Sequence, residues 1–175
     1  MAYAFSVLAN NGVMKGRPTS EDLPGGYREL DPVSILKIED AEGKVVYQFQ
    51  KPEERQVMDP AYAYMGTDVL SNDAINWSRL TIDRPAASKT GTSEEFRDNV
   101  VMGYTPDLSA GVWMGTADNT AMAQGTFSSS GTGPMWKRFM TEAHAYLQLP
   151  PRPFEKPADI ATGVCAGHEE VFKKD

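Results

Sequence analysis

The sequence is poor in the residues that most often announce a function. It has one cysteine, Cys165, so no disulfide can form within the chain, and its two histidines, His144 and His168, sit at no spacing that reads as a metal site. Positive charge is also scarce: 17 basic against 24 acidic residues leave a net charge of -7, with no Lys/Arg-rich run. That balance argues against nucleic acid as a partner. No apolar stretch approaches the roughly 20 residues needed to cross a bilayer, so no membrane contact is expected of this segment. The start, MAYAFSVLANNG, lacks the basic flank and cleavage site of a signal peptide, and the chain reads as soluble. There is no internal repeat and no sign of a cofactor.

What is present is enough for one domain. With 175 residues the chain can bury one sizeable core. Residues 2 to 9 are apolar almost all round a helix that wants burial on every side, which points to a piece of a larger protein and to self-association if that helix stays uncovered. Asn10-Asn11-Gly12 should stop it, and 13 to 32 reads as a loop rich in Gly and Pro. Val33, Ile35 and Ile38 alternate, a turn falls at 40 to 43, and Val45 to Phe49 resume, which predicts a β-hairpin. Asp59-Pro60 opens a helix over about 60 to 71, and 72 to 83 reads as a part-buried loop around Trp77, Leu80 and Ile82. Strands follow at 86 to 92, 99 to 105 and 108 to 115, the last two close enough to force an antiparallel pair.

The serine run Ser128 to Ser130 has the residue type to bind an anion but reads better as a flexible loop, after which a helix from Gly133-Pro134 places Met135, Trp136, Phe139, Met140, Ala143, Tyr146 and Leu147 on one face. Lys137, Arg138, Glu142 and His144 face solvent. PPRPFEKP marks a domain edge, dividing 1 to 150 from a tail or linker over 151 to 175. Asp98 reads as a turn or strand-entry acid, and Trp113 as core.

The chemistry concentrates in Lys89-Thr90-Gly91-Thr92. On an edge strand facing a cleft, the ammonium sets a positive potential, hydroxyls can bind a carboxylate, and glycine lets another backbone approach. The strand edge itself can pair with an extended peptide. Ser34-Ile35-Leu36-Lys37 matches Ser-x-x-Lys only as text. That motif works on a helix, where i and i+3 share a face, whereas on a strand they point to opposite faces. No Ser-x-Asn triplet occurs anywhere.

The quartet stands in a frame: Pro85-Ala86-Ala87 before it, then Asp98, GYTP at 103 to 106 and GVWMG at 111 to 115. Together with AYAFSVLANNGV, ILKIEDAEGKVVY and GPMWKRFM, it resembles the transpeptidase domain of class A penicillin-binding proteins, from residue 2 to about 155. The resemblance implies an α+β fold, the C-terminal part of a β-lactamase/transpeptidase-like domain with an antiparallel sheet packed against helices. It implies a serine acyl-transfer enzyme that cross-links peptidoglycan stem peptides, is acylated by β-lactams, and works at the extracytoplasmic face of the bacterial membrane, anchored upstream. Of the family's three motifs only Lys-Thr-Gly matches. The resemblance makes Lys89 the catalytic residue of this segment and assigns substrate binding to Thr90, Gly91 and Thr92; the residue after the glycine donates one oxyanion N–H. Ser88 stands where the family often has glycine. Serine nucleophile and Ser-x-Asn are expected upstream, so the segment alone should be inactive, with the upstream half as its partner. The alternatives are a stand-alone peptide-binding or scaffold module, or a fragment of a serine β-lactamase or carboxypeptidase.

Overall fold

The longest helix begins because Asp59 caps it. The Asp59 carboxylate accepts the Ala61 N–H at 2.9 Å, and Pro60 fills the first helical position, where no N–H is needed. In the computed structural model, which describes residues 1–174, helix α2 runs over Pro60–Asn76, five residues further than the sequence pattern indicates. It follows helix α1 (Ala2–Ala9) and strands β1 (Val13–Pro18), β2 (Leu30–Asp31), β3 (Lys37–Glu39), β4 (Val45–Gln48) and β5 (Glu53–Gln56). After it come β6 (Ala87–Thr92), β7 (Asp98–Tyr104), β8 (Ser109–Gly115), helix α3 (Thr132–Tyr146), β9 (Ile160–Cys165) and β10 (His168–Lys173). The architecture is α+β, with small antiparallel sheets and helices.

The site depends on the sheet ordered β6-β7-β8, which is antiparallel throughout. Side chains alternate across it. One face carries Val101 and Gly103 against α3, where Leu80, Val101, Trp136 and Met140 form the buried core. A Cβ on Gly103 would lie 2.4 Å from the Trp136 ring, so the indole fills the space that the missing side chain leaves. Trp136 Nε1 donates to the Ala110 carbonyl at 3.2 Å, which fixes the helix over the sheet. The other face carries Tyr104, buried against α1 and α2: its ring meets Phe5 edge-on, and its hydroxyl lies 2.9 Å from Thr67 Oγ1.

Several expectations are corrected. Helix α3 is rotated relative to the apolar face read from the sequence, burying Trp136, Met140 and His144 at i, i+4 and i+8 while Met135, Phe139 and Tyr146 stay exposed. The Trp136 pocket at Gly103 sets that rotation. His144 is therefore fully buried rather than solvated. Its Nδ1 donates to the Met140 carbonyl at 2.7 Å, and its Nε2 lies 2.9 Å from the Thr105 hydroxyl. Trp113 is not core: its register partner is Val100, which puts it on the α1/α2 face but four residues along β8 from Ser109, whose hydroxyl bonds the Ala2 carbonyl of α1. There it is 60% exposed, with its indole N–H donated to Asp98 Oδ1 at 2.9 Å.

The loop expected over 13 to 32 starts as strand β1, which pairs with β2 and β5. Gly16 permits this, because a Cβ there would stand 2.2 Å from the Asp31 carbonyl oxygen. The expected hairpin forms as β3–β4, its turn held by Asp40 Oδ1 accepting from Glu42 and Lys44 N–H. Instead of a linker, residues 160 to 173 form a hairpin around Ala166-Gly167, both at positive φ. It docks on α2 through Lys173, whose Nζ lies 2.6 Å from Asp59 Oδ2 and 4.7 Å from the centre of the Tyr62 ring.

Candidate active-site cleft

Strand β6 is the edge of its sheet, so Lys89-Thr90-Gly91-Thr92 lies beside an unpaired edge. The register with β7 divides the quartet between two faces. Lys89 and Gly91 pair with Met102 and Val100 on the α2 face, while Thr90 and Thr92 pair with Val101 and Asn99 on the α3 face. Just beyond the strand, Ser93 N–H is donated to the Asp98 carbonyl at 2.9 Å. Because pairing alternates along an antiparallel ladder, the backbone N–H groups of Thr90 and Thr92 point to the open edge.

A cleft of about 340 Å³ runs along this edge. Its one wall is the end of α2 and the turn after it, with Asp73, Trp77 and Ser78; the other is Phe127, Ser128 and Ser129 ahead of α3. Lys89, Thr90 and Thr92 form the floor. The Lys89 ammonium lies 3.7 Å from Asp73 Oδ1 and donates to the Thr90 carbonyl at 3.3 Å. Asp73 Oδ2 is buried with no hydrogen-bond partner among the described residues. At Gly91 a Cβ would come within 2.9 Å of Val100 Cγ1, so the strand has little room for a side chain there. Ser88 is fully buried, its Cβ against the Gly103 position on the α3 face, and takes no part in the cleft.

Two cleft residues owe their place to contacts that the sequence does not announce. Asp73 reaches Lys89 across 16 positions with no motif to announce it. Ser128, which looks like part of a flexible loop, is only 2% exposed and hydrogen-bonded to the strand: its hydroxyl donates to the Gly91 carbonyl and lies 3.0 Å from Thr92 Oγ1. The buried Ser128 and the hydroxyl-accepting Gly91 were recoverable only from their tertiary contact. Ser34 precedes β3 in non-helical chain, and Lys37 is paired with Glu39 at 2.6 Å, so those two share no catalytic face.

Chemically, the cleft combines a cation, two hydroxyls and two free backbone donors along one edge, which suits an anionic, extended ligand. Ser78 and Ser128 spend their hydroxyl protons on the carbonyls of Asp73 and Gly91, so neither is paired with a base. Among the described residues no group of three His, Cys, Asp or Glu side chains could hold a metal ion, and no helix is long and apolar enough to cross a membrane.

No protein-family model matches the chain. Among curated proteins it is 30% identical over 169 residues to penicillin-binding protein 1A of Clostridium perfringens, an alignment covering 94% of this chain and 18% of that protein. The structure matches the penicillin-binding protein PonA1 of Mycobacterium tuberculosis with a TM-score of 0.71 at 26% identity, covering 90% of this chain and 40% of that one. It shares the fold of penicillin-binding protein 1A of Haemophilus influenzae, with a TM-score of 0.76 at 17% identity, over 98% of this chain and 31% of that one. The chain thus spans about a fifth of the length of the curated relative. The edge-strand Lys-Thr-Gly-Thr, the sheet behind it and these likenesses agree: the chain belongs to the class A penicillin-binding proteins, as part of their transpeptidase domain.

Proposed function

We infer that the chain is the C-terminal portion of a serine D,D-transpeptidase domain that cross-links peptidoglycan stem peptides and is acylated by β-lactams. It would act at the extracytoplasmic face of the membrane, as part of a protein anchored elsewhere. The observation that carries this reading is the placement of Lys89-Thr90-Gly91-Thr92 on the open edge of β6, with a cleft along it. In acyl transfer a serine oxygen attacks the substrate carbonyl, its proton passes by way of a base to the leaving amine or lactam nitrogen, and the carbonyl oxygen becomes an oxyanion. On this reading Lys89 assists proton movement and Thr92 N–H is one oxyanion donor. The hydroxyl side of the quartet binds the ligand carboxylate, and Gly91 keeps the approach clear. The nucleophilic serine is supplied by sequence outside these 175 residues, and no cofactor is required.

Intact-mass spectrometry tests both halves of the reading. This chain with excess penicillin should gain no stoichiometric acyl mass, and a longer protein that includes the rest of the domain should gain one, mapping to an upstream serine. An adduct on a serine of this chain would overturn the assignment. The open edge also favours a second reading, a peptide-holding module without chemistry; tight binding of a stem peptide by this chain, with no acylation of the longer protein, would select it.

A further inference from the structure

The chain is acidic overall, yet one cavity beside the cleft carries only positive charge. It measures about 520 Å³, lies between the turn that ends α2 and the first turn of α3, and shares Trp77, Ser78 and Ser129 with the cleft along β6. Arg79 and Lys137 line it, and no carboxylate does. Neighbouring cations are already paired, Lys89 with Asp73, Arg84 with Asp83 and Arg138 with Glu142. Arg79 and Lys137 have no carboxylate within ion-pair distance among the described residues. Arg79 is also held against its backbone preference. Its φ is +53°, a left-handed conformation that glycine enters freely and a residue with a Cβ enters at a cost. The turn fixes it there: Ser78 N–H is donated to the Asp73 carbonyl and Leu80 N–H to the Ala74 carbonyl, both at 2.9 Å, and the Leu80 side chain is buried in the core. Glycine would end the helix at this position with less strain, and such strain persists at functional sites where the side chain has a use. Beside it the exposed Trp77 adds a flat apolar face.

We propose that Arg79, Lys137 and Trp77 form an acid-binding subsite beside the cleft, which takes a second carboxylate, borne on a side chain of the bound peptide. The proposal rests on the reading of β6 as the substrate strand and adds a substrate class to it: extended peptides with an acidic side chain, in preference to their amidated counterparts. A peptide paired along the β6 edge presents alternate side chains to the α2 and α3 faces. The cavity lies on the α3 side, since Leu80, which lines it, belongs to the core between the sheet and α3. A ligand side chain on that face is therefore directed toward it. The guanidinium can grip a carboxylate through two parallel N–H bonds, the ammonium adds a donor from the α3 wall, and the indole covers the methylene stem.

The test uses pairs of pentapeptides with a free C-terminal carboxylate, identical except for Glu or Gln at one position, that position being walked along the peptide. Titrated into this chain and followed by the Trp77 indole N–H in NMR, the Glu peptide should bind more tightly than its Gln partner in one register. The preference should be roughly two- to fivefold for each cation, the size of a solvent-exposed ion pair. Arg79→Gly and Lys137→Gln should each remove their share, while Lys44→Gln, at an exposed cation on the β3–β4 turn, should leave the preference intact. Arg79→Gly should also resist urea at least as well as the parent, because glycine relieves the left-handed strain. Loss of stability in that variant would make the arginine structural and overturn its assignment. In the longer protein the Glu peptide should be the stronger competitor against acylation by a penicillin, by the same factor. Equal affinities in every register, no binding to either protein, or a preference that survives Arg79→Gly and Lys137→Gln together overturns the proposal. If the preference follows Arg79 and Lys137 but the longer protein is not acylated, the transpeptidase reading fails and the subsite stands; acylation without the preference reverses both conclusions.

Discussion

Tyr104 shows how one buried residue carries both packing and a pH dependence. Burial between α1, α2 and β7 pushes its phenol up to about 12, because the charged form would have to sit against Phe5 and Phe154 rings rather than in water. An unfolded tyrosine ionises near its ordinary value of about 10. The folded pKa is raised, so the contribution is fully present below pH of about 10 and is lost as pH climbs through about 12. Urea unfolding between those limits should show the parent losing stability more steeply than Tyr104→Phe; equal slopes would mean that Tyr104 is not the group responsible. Tyr3 and Tyr64 are also raised by burial, but they are common to both proteins. At this scale the sequence is a partial guide. Lys89, Thr90, Gly91 and Thr92 announce themselves as a motif, whereas His144, Trp113, Asp73 and Ser128 are defined by partners 15 to 39 positions away. A side chain's solvent exposure is a tertiary property, and no local pattern encodes which face of α3 the Gly103 notch will select.

Elements whose burial follows a single period are legible, and those held by edges and charges are not. β6, β7 and β8 emerge within a residue or two of expectation, since they form one continuous antiparallel meander around a central strand, β7, that is mostly buried. β1 does not, because Lys15, Gly16, Arg17 and Pro18 look like loop and its pairing is with β2 and β5, distant in sequence. The packing of α3 on the sheet yields a direct prediction. Gly103→Ala would drive its methyl into Trp136 and should destabilise the chain by about 1–3 kcal/mol, the usual cost of overpacking, seen as a lower urea midpoint. A neutral result would show that α3 can shift freely.

The β9–β10 hairpin supplies a second, electrostatic, prediction. The hydrogen bond from Lys173 holds the Asp59 carboxyl below its usual range, with the Ala61 N–H adding to it and partial desolvation opposing. A lowered folded pKa means the stabilisation is present above the unfolded carboxylate value and is lost as pH falls through the folded one. Asp68 runs the other way: burial, then the charge of Glu170, raises it, while Lys156 lowers it. Acid should therefore loosen the Lys173 end of the hairpin first. Methyl NMR shifts of Val171 should move in this chain as pH falls below the ordinary carboxylate value of about 4, and Lys173→Met should abolish most of that movement. An unchanged titration in Lys173→Met would place the acid response elsewhere.

For the molecule as a whole, exposed apolar side chains are concentrated away from the sheet's core: Leu36 and Val46 on the β3–β4 hairpin are each 65% exposed, and Trp77 at the rim of the cleft is 83% exposed. Surfaces of this kind associate. Sedimentation at rising concentration should show self-association of the chain, and a strict monomer would count against it. Helix α1 contributes less to this than its composition predicts, because α2, β7 and β8 already cover Val7 and half-bury most of its other residues.

The central claim is that β6 is the substrate strand of an acyl-transfer site and Lys89 its working cation. It is tested most directly by the second-order rate of acylation by a penicillin in the longer protein, parent against Lys89→Ala. Losing a charge-assisted contact in a partly desolvated cleft should cost roughly 2–4 kcal/mol, or about 30- to 1,000-fold in rate, with folding unchanged. A Lys89→Ala protein that is acylated as fast as the parent would contradict the account.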